Sequence, residues 1–447
     1  RCSKRAWSLD GSFLVAGAAV FLVMRALGEM TLREPVSGSF AAYASRYLGP
    51  FAGYVTGWTF VFELAVVIVA DTAAITTYMA FWFPGVPAWA WVAATILVVG
   101  LINFTHVGNF GEAEFWLTLV KVGAIVAMIF GGVILLFTGA STADGTQASL
   151  ANLVDHGGFL PHGILGVLTA LTIVTFSFGG IETLGMTAGE ADDPEHSIAR
   201  AVNTVPFRIL LFYVGAITVV GFLIPYTSPH LLGSDVEDIS ISPFTLVFEN
   251  AGVLAAASVM NAVILTAILS AGNSGLYAST RMLWALADSG KAPRFLAKVN
   301  RRGVPMNALY ATTAVGAACF LTTFIGDGAA YVWLVSASGL AGFIVWMGIA
   351  WSHYRFRQAY VAQGHDPKDL PYRAFLFPLG PIVALVMCAV VILGQNYQAF
   401  MGDVDLVAVA SAYIGLPLFL ALWLGHKLVT GSKPVRYEDA DLTRVLD

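Results

Sequence analysis

Charge is scarce in this chain: only 11% of its 447 residues are Asp, Glu, Lys or Arg, while 57% are hydrophobic and the mean hydropathy is +0.76. A soluble domain carries roughly 25% charged residues, so a water-exposed globular surface is excluded and an integral membrane protein is implied. Cysteine is scarce too: Cys2, Cys319 and Cys388 stand without the spacing of a disulfide framework or a metal site. The eight histidines form no i, i+4 pair, so no zinc signature is present and no metal or cofactor is called for. No phosphate-binding loop occurs, which argues against ATP as the energy source. No nucleophile, base and orienter recur together, which argues against an enzyme. No nucleic-acid patch is found, and the basic stretch from Arg281 to Arg302 reads as a solvated face at the membrane surface.

What the chain has is long apolar runs. A hydrocarbon core of about 30 Å needs roughly 20 apolar residues per helix. We count eleven such runs, near 12–34, 50–82, 88–106, 113–138, 162–189, 204–225, 249–286, 306–325, 329–354, 374–394 and 405–426. Their continuity favours helices over the alternating strands of a barrel. All but Arg1, Lys4, Arg5 and Lys121 of the 23 lysines and arginines sit beside alternate ends of these spans. The positive-inside rule then places the C-terminus in the cytoplasm. Eleven spans leave Arg1, Lys4 and Arg5 on the opposite face. The expectation is therefore an absent first helix, residues 1–10 being too few and too polar to span.

Charges inside the spans are costly, about 2.5–3.5 kcal/mol each on insertion scales, and each invites a functional reading. Glu63 and Asp71 share one span, and eight residues of helix set them on adjacent sides. Glu63 reads equally well as a helix-packing hydrogen bond and as a site group. Lys121 reads either as a snorkelling side chain or as a buried amine that gains and loses a proton, standing in for a bound cation. Ser270, Asn273 and Ser274 read equally as helix glue and as an ion site. The sharpest signal is Phe176-Ser177-Phe178-Gly179-Gly180-Ile181-Glu182, a glycine pair and a carboxylate within an apolar span. Exposed backbone at membrane depth is tolerated where it lines a cavity, and broken helices there present their ends to solutes and ions. The bland alternative is close helix packing at the glycines. Phe176 and Phe178 flank the break and could close over a solute. The acids of Glu190 to Glu195 read as a solvated helix end, with Pro194 stopping continuation.

These residues together resemble the amino-acid permeases of the amino acid–polyamine–organocation superfamily. The resemblance is carried by Met24-Arg-Ala-Leu-Gly-Glu-Met30, Pro35-Val-Ser-Gly-Ser-Phe40, Gly57-Trp58, Gly111-Glu-Ala-Glu-Phe-Trp116 with Lys121-Val122, Phe178-Gly-Gly-Ile-Glu182, Thr187-Ala-Gly-Glu190 and Arg301-Arg-Gly-Val-Pro305. Thr56-Gly-Trp-Thr-Phe-Val-Phe-Glu63 and Ala70-Asp71 look most like the proline- and histidine-type bacterial permeases. The resemblance implies an all-α polytopic fold: a LeuT-like five-plus-five inverted repeat plus two C-terminal helices, with eleven of the usual twelve spans. Residues 1–10 are then an N-terminal remnant and 11–138 the first repeat without its first helix. An extracellular loop at 139–161 precedes the second repeat at 162–356, whose first helix is broken; accessory spans follow at 357–430 and a cytoplasmic tail at 431–447.

It further implies that Phe176, Phe178, Gly179, Gly180, Ile181 and Glu182 bind substrate, the backbone carbonyls of 179–181 receiving the amino group. Lys121, Glu182, Asp71 and Glu63 would couple protons, with Ser270, Asn273 and Ser274 an ion-site remnant. The expected function is amino acid:proton symport into the cell by alternating access across the plasma or inner membrane. The expected substrate is proline, histidine or a related amino acid. The partners are that small molecule, protons and lipid, with no nucleic acid. An amino-acid exchanger and a truncated, non-transporting membrane protein are the alternatives.

Overall fold

The computed structural model describes residues 8–104, 107–139, 147–153, 155, 164, 166–167, 170–171, 174, 177–188, 193–224, 256–301, 303–317, 319–322, 327–394, 409, 413 and 415–443. Among these residues the architecture is helical and contains no strand. In chain order the helices are α1 (Ser8–Arg33), α2 (Ser39–Tyr47), α3 (Pro50–Ala80), α4 (Ala88–Phe104) and α5 (Val107–Thr138), then α6 (Leu184–Thr187), α7 (Pro194–Arg208) and α8 (Ala216–Leu223). After these come α9 (Ala256–Asp288), α10 (Met306–Gly316), α11 (Cys319–Thr322), α12 (Asp327–Ala362), α13 (Leu379–Gly394) and α14 (Gly415–Thr430).

Among the described residues, five stretches are long and apolar enough to cross a membrane: Gly11–Arg33, Pro50–Ala80, Glu114–Thr138, His196–Leu223 and Ser258–Asp288. Ala88–Phe104, Leu379–Gly394 and Gly415–Thr430 are shorter apolar helices. The span expected at 329–354 lies within α12. Much of 139–161, of 225–255 and of the run expected at 405–426 falls outside the described residues.

Helix α3 is the axle of the bundle, packed chiefly against α9 and α12. Burial on nearly every side explains why it is apolar all round instead of striped. Aromatic side chains fill the centre: Phe40 meets Phe60 edge-on at 4.9 Å, and Trp346 and Phe343 meet at 5.6 Å. Helix α2 is a short amphipathic piece that buries Phe40, Tyr43 and Tyr47 against this core.

The helix pair α7–α8 is continuous but not uniform. Pro206 lacks the N–H that the ladder needs, and the chain widens into a π-helical segment, Ile209–Gly215, before α8 resumes. That segment carries Tyr213 toward the turn at 177–180.

The basic end of the bundle is cross-tied. Glu29 of α1 accepts from Arg357 Nε and Nη2 and lies 3.2 Å from His353 Nε2, both residues on α12. It also accepts the Ala374 N–H at 2.6 Å. The tail folds back here: Gln363 donates to the Tyr437 and Ala440 carbonyls at 3.0 and 2.7 Å, and Arg33 donates to Leu442 at 2.7 Å.

Candidate functional site

Residues 177–180 form a turn followed by one 3-10 turn, Ile181–Thr183, and the single helical turn α6. Gly180 takes φ +86°, a left-handed conformation that favours glycine, and open space surrounds the position where a Cβ would sit. The requirement there is conformational, not steric. Thr183 Oγ1 donates to the Gly180 carbonyl at 2.6 Å and fixes the turn.

Glu182, at 0% exposure, curls back over its own turn. Its Oε1 accepts the Gly180 N–H at 3.3 Å, and its Oε2 accepts the Trp346 indole N–H of α12 at 3.1 Å. Glu63 of α3, at 1% exposure, lies within electrostatic range of Glu182. Gly342 of α12 makes room for it: a Cβ there would come within 2.9 Å of Glu63 Oε1. Glu63 Oε2 has no hydrogen-bond partner. Among the described residues no lysine, arginine or histidine pairs with either acid.

Phe178 is buried beneath Tyr213 at 4.5 Å and Phe13 of α1 at 5.9 Å, and the Tyr213 hydroxyl donates to Ser177 O at 3.0 Å. Gly179 is exposed and Ile181 half-buried. Phe176 lies outside the described residues.

A second polar cluster stands apart. Lys121 of α5 donates to Ser270 Oγ of α9 at 2.7 Å and lies 3.4 Å from Glu114 Oε1. Ser270 in turn donates to Glu114 at 2.5 Å. Nearby on α9, Asn273 accepts from Asn103 Nδ2 of α4 at 2.7 Å, and its own Nδ2 is buried without a partner. Ser274, next along α9, is half-buried. Thus Lys121 and Ser270 meet, with Glu114 as the partner that reasoning from sequence missed. No hydrogen bond or ion pair among the described residues joins Lys121 to Glu182.

Asp71 occupies a third place. It lines a cavity of about 20 Å³ with Thr72, Thr95, Gly272 and Thr313. Both Asp71 Oδ2 and Thr313 Oγ1 are buried without partners. That volume suits one water molecule. Asp71 and Glu63 therefore face different neighbours, α9–α10 and α12, in keeping with their angular separation on α3. Among the described residues no group of three His, Cys, Asp or Glu side chains could hold a metal ion.

The family model for amino acid permeases matches residues 11–437. The chain belongs to the amino acid permease family. This permease is 51% identical to the lysine-specific permease LysP of Escherichia coli K12 over 432 residues, covering 96% of this chain and 87% of that protein. It is 39% identical to the histidine permease HisP of Lactococcus lactis subsp. cremoris, covering 98% and 91% of the two chains. The aromatic amino acid transport protein AroP of Escherichia coli O157:H7 is 41% identical, with 90% and 86% covered. These relatives are transporters, not enzymes. Together with the apolar helices, they make this permease a multi-pass membrane protein of amino-acid transport.

Proposed function

We propose that this permease is a secondary active importer that moves an amino acid with a proton by alternating access, and that its preferred substrate is cationic. Glu182 with its neighbour Glu63 carries the reading: two carboxyl groups are buried at a left-handed backbone turn, and among the described residues no cation pairs with either. Carboxyl groups so placed are fitted to receive an ammonium or a proton. The name of the lysine-specific relative supports lysine as the first substrate to try, and histidine fits the same chemistry.

In this scheme Gly179, Gly180 and Ile181 offer carbonyls to the α-amino group, and Phe178 moves from under Tyr213 as the site opens. Lys121, held by Ser270 and Glu114, exchanges the coupling proton, with Asp71 as a second carrier. Asn273 and Ser274 complete the ion-site remnant on α9. The spans up to 138 and those from 162 to 356 act as two halves of an inverted repeat, and the basic end faces the cytoplasm of a cell membrane. A proton falling through 100 mV releases about 2.3 kcal/mol, enough to concentrate a small amino acid substantially.

The test is uptake of labelled lysine into proteoliposomes with an imposed pH gradient, in competition with histidine, proline and aromatic amino acids. Gradient-driven accumulation that Lys121→Gln uncouples from external pH is the expected result. Uptake that needs only internal counter-substrate would make this permease an exchanger instead.

A further inference from the structure

The connection between α9 and α10 takes no part in any of the three polar sites, yet it is densely basic. Lys291, Arg294, Lys298 and Arg301 fall within one short segment that contains no acidic residue. None of the four pairs with a carboxylate among the described residues. Its backbone is tied in place. The Trp58 indole donates to Lys291 O at 3.1 Å and the Trp284 indole to Ala297 O at 3.1 Å, while Asn307 donates to Phe295 O at 2.6 Å. Leu296 points inward at 5% exposure, and this fixed backbone holds Phe295 and Val299 outward at 58% and 47%. Water alone gives no reason to hold an aromatic ring outward among four cations. An interfacial segment does, since basic groups meet phosphates while apolar side chains enter the acyl boundary.

Next to this segment opens a cavity of about 480 Å³, within the size range of small-molecule sites. Ser45 and Arg46 of α2, Trp284 and Asp288 of α9, and Lys291 are among its walls. Arg46 is already neutralised by Glu34, and Asp288 is exposed. Lys291 donates to Ser45 Oγ at 2.7 Å and pairs with no acid among the described residues, so it is the cation of the wall left to meet an anion, while Asp288 points its charge to solvent. Burial pulls its ammonium below the ordinary lysine range, a penalty that a neighbouring anion would relieve.

We infer that this cavity and the basic segment beside it bind an anionic phospholipid, with the phosphate at Lys291. Arg294, Lys298 and Arg301 reach adjoining headgroups, and Phe295 and Val299 enter the acyl boundary. Because the Lys291 N–H donates back to Leu286 O of α9 at 2.7 Å and Ser45 belongs to α2, the bound phosphate ties these two helices together.

The purified full chain in detergent is titrated with dioleoyl phosphatidylglycerol or dioleoyl phosphatidylcholine, and bound lipid is counted by native mass spectrometry. The variant K291Q/R294Q/K298Q is compared with K368Q/K433Q/R436Q, which removes equal charge from exposed positions elsewhere on the basic end. Both should elute from gel filtration like the parent, since the substituted side chains carry none of the backbone ties. Single K291Q serves if the triple does not. Phosphatidylglycerol retention should fall about fivefold per charge removed, roughly a hundredfold for the first variant, and should weaken with salt. The second variant should retain the lipid. Equal loss in both variants, unchanged retention in the first, equal retention of phosphatidylcholine, or displacement by millimolar inorganic phosphate would each overturn the proposal.

Discussion

Glu29 and Glu182 are both at 0% exposure, and they are kept there in opposite ways. Glu29 is held by Nε and Nη2 of Arg357 and by the Ala374 amide, with the His353 ring 3.2 Å away, so a fixed cation answers its charge. Glu182 has two neutral donors, the Trp346 indole and its own turn's Gly180 N–H. A carboxylate with a full complement of charged donors fixes helices in place. One with spare capacity, beside a second acid, has something left to receive. The proposed role of Glu182 rests on this difference in company, where burial alone would have grouped the two acids.

Breaking the compensated side should cost the most stability. Arg357→Ala takes the guanidinium from buried Glu29 and leaves it only the His353 ring and the Ala374 amide, a loss of about 3–5 kcal/mol. It should appear as a large fall in Tm or as failure to recover monodisperse protein. The paired change Glu29→Gln with Arg357→Met should recover most of that loss, because it removes both charges together. If Arg357→Ala melts like the parent, Glu29 does not depend on its partners and the comparison collapses.

The uncompensated side should behave the other way round. Glu182→Gln keeps the shape, but its single amide oxygen can accept from only one of the Trp346 and Gly180 N–H donors, so Tm should fall modestly, by the equivalent of about 1–3 kcal/mol, less than for Arg357→Ala. Transport of a cationic substrate should fall by about 2–3 kcal/mol, roughly 30- to 150-fold in kcat/KM, as expected for removal of one partner of a buried charge pair. Unchanged lysine transport would show that Glu182 receives nothing. Gly342→Ala tests the neighbouring acid by geometry instead of charge. A methyl group within 2.9 Å of Glu63 Oε1 forces a shift, with about 1–3 kcal/mol lost in stability and a smaller loss of transport than Glu182→Gln gives.

How far these places could be read from sequence follows their separation along the chain. Gly179-Gly180-Ile181-Glu182 is local, so the turn and its acid were visible as a glycine pair and a charge in an apolar run. Glu114 and Lys121 lie seven residues apart, two helical turns on one face, and that spacing was available to pair them. Asn103 with Asn273 required knowing that α4 meets α9, which apolar periodicity does not specify. Trp346 and Tyr213 are indistinguishable from packing aromatics until the fold aims an indole at Glu182 and a hydroxyl at Ser177. Glu29 read only as part of a family signature, because Arg357 lies 328 residues away in sequence. Composition gave the helical membrane class, since the solvent dictates it. Which helix faces which is settled by side chains that look alike in a hydropathy profile.

Asp193 completes the series as an acid in water. It caps α7, accepting the His196 backbone N–H at 3.3 Å, with the His196 ring alongside at 3.0 Å. The backbone N–H of His196, then its ring, hold this carboxyl below its ordinary value. A depressed folded-state value means that the cap contributes fully above the unfolded value, near pH 3.9. That contribution is lost as pH falls through the folded value. Asp193→Ala should therefore lower Tm slightly at pH 7, and the gap from the parent should narrow below about pH 4. Asp193→Asn, still a good cap, should track the parent at pH 7 and show no narrowing. The shift should be the smallest of the series, because solvent already satisfies an exposed carboxylate. A fall at Asp193 as large as that of Arg357→Ala would mean that company matters no more in the buried interior than at the surface, and the contrast between Glu29 and Glu182 would lose its basis.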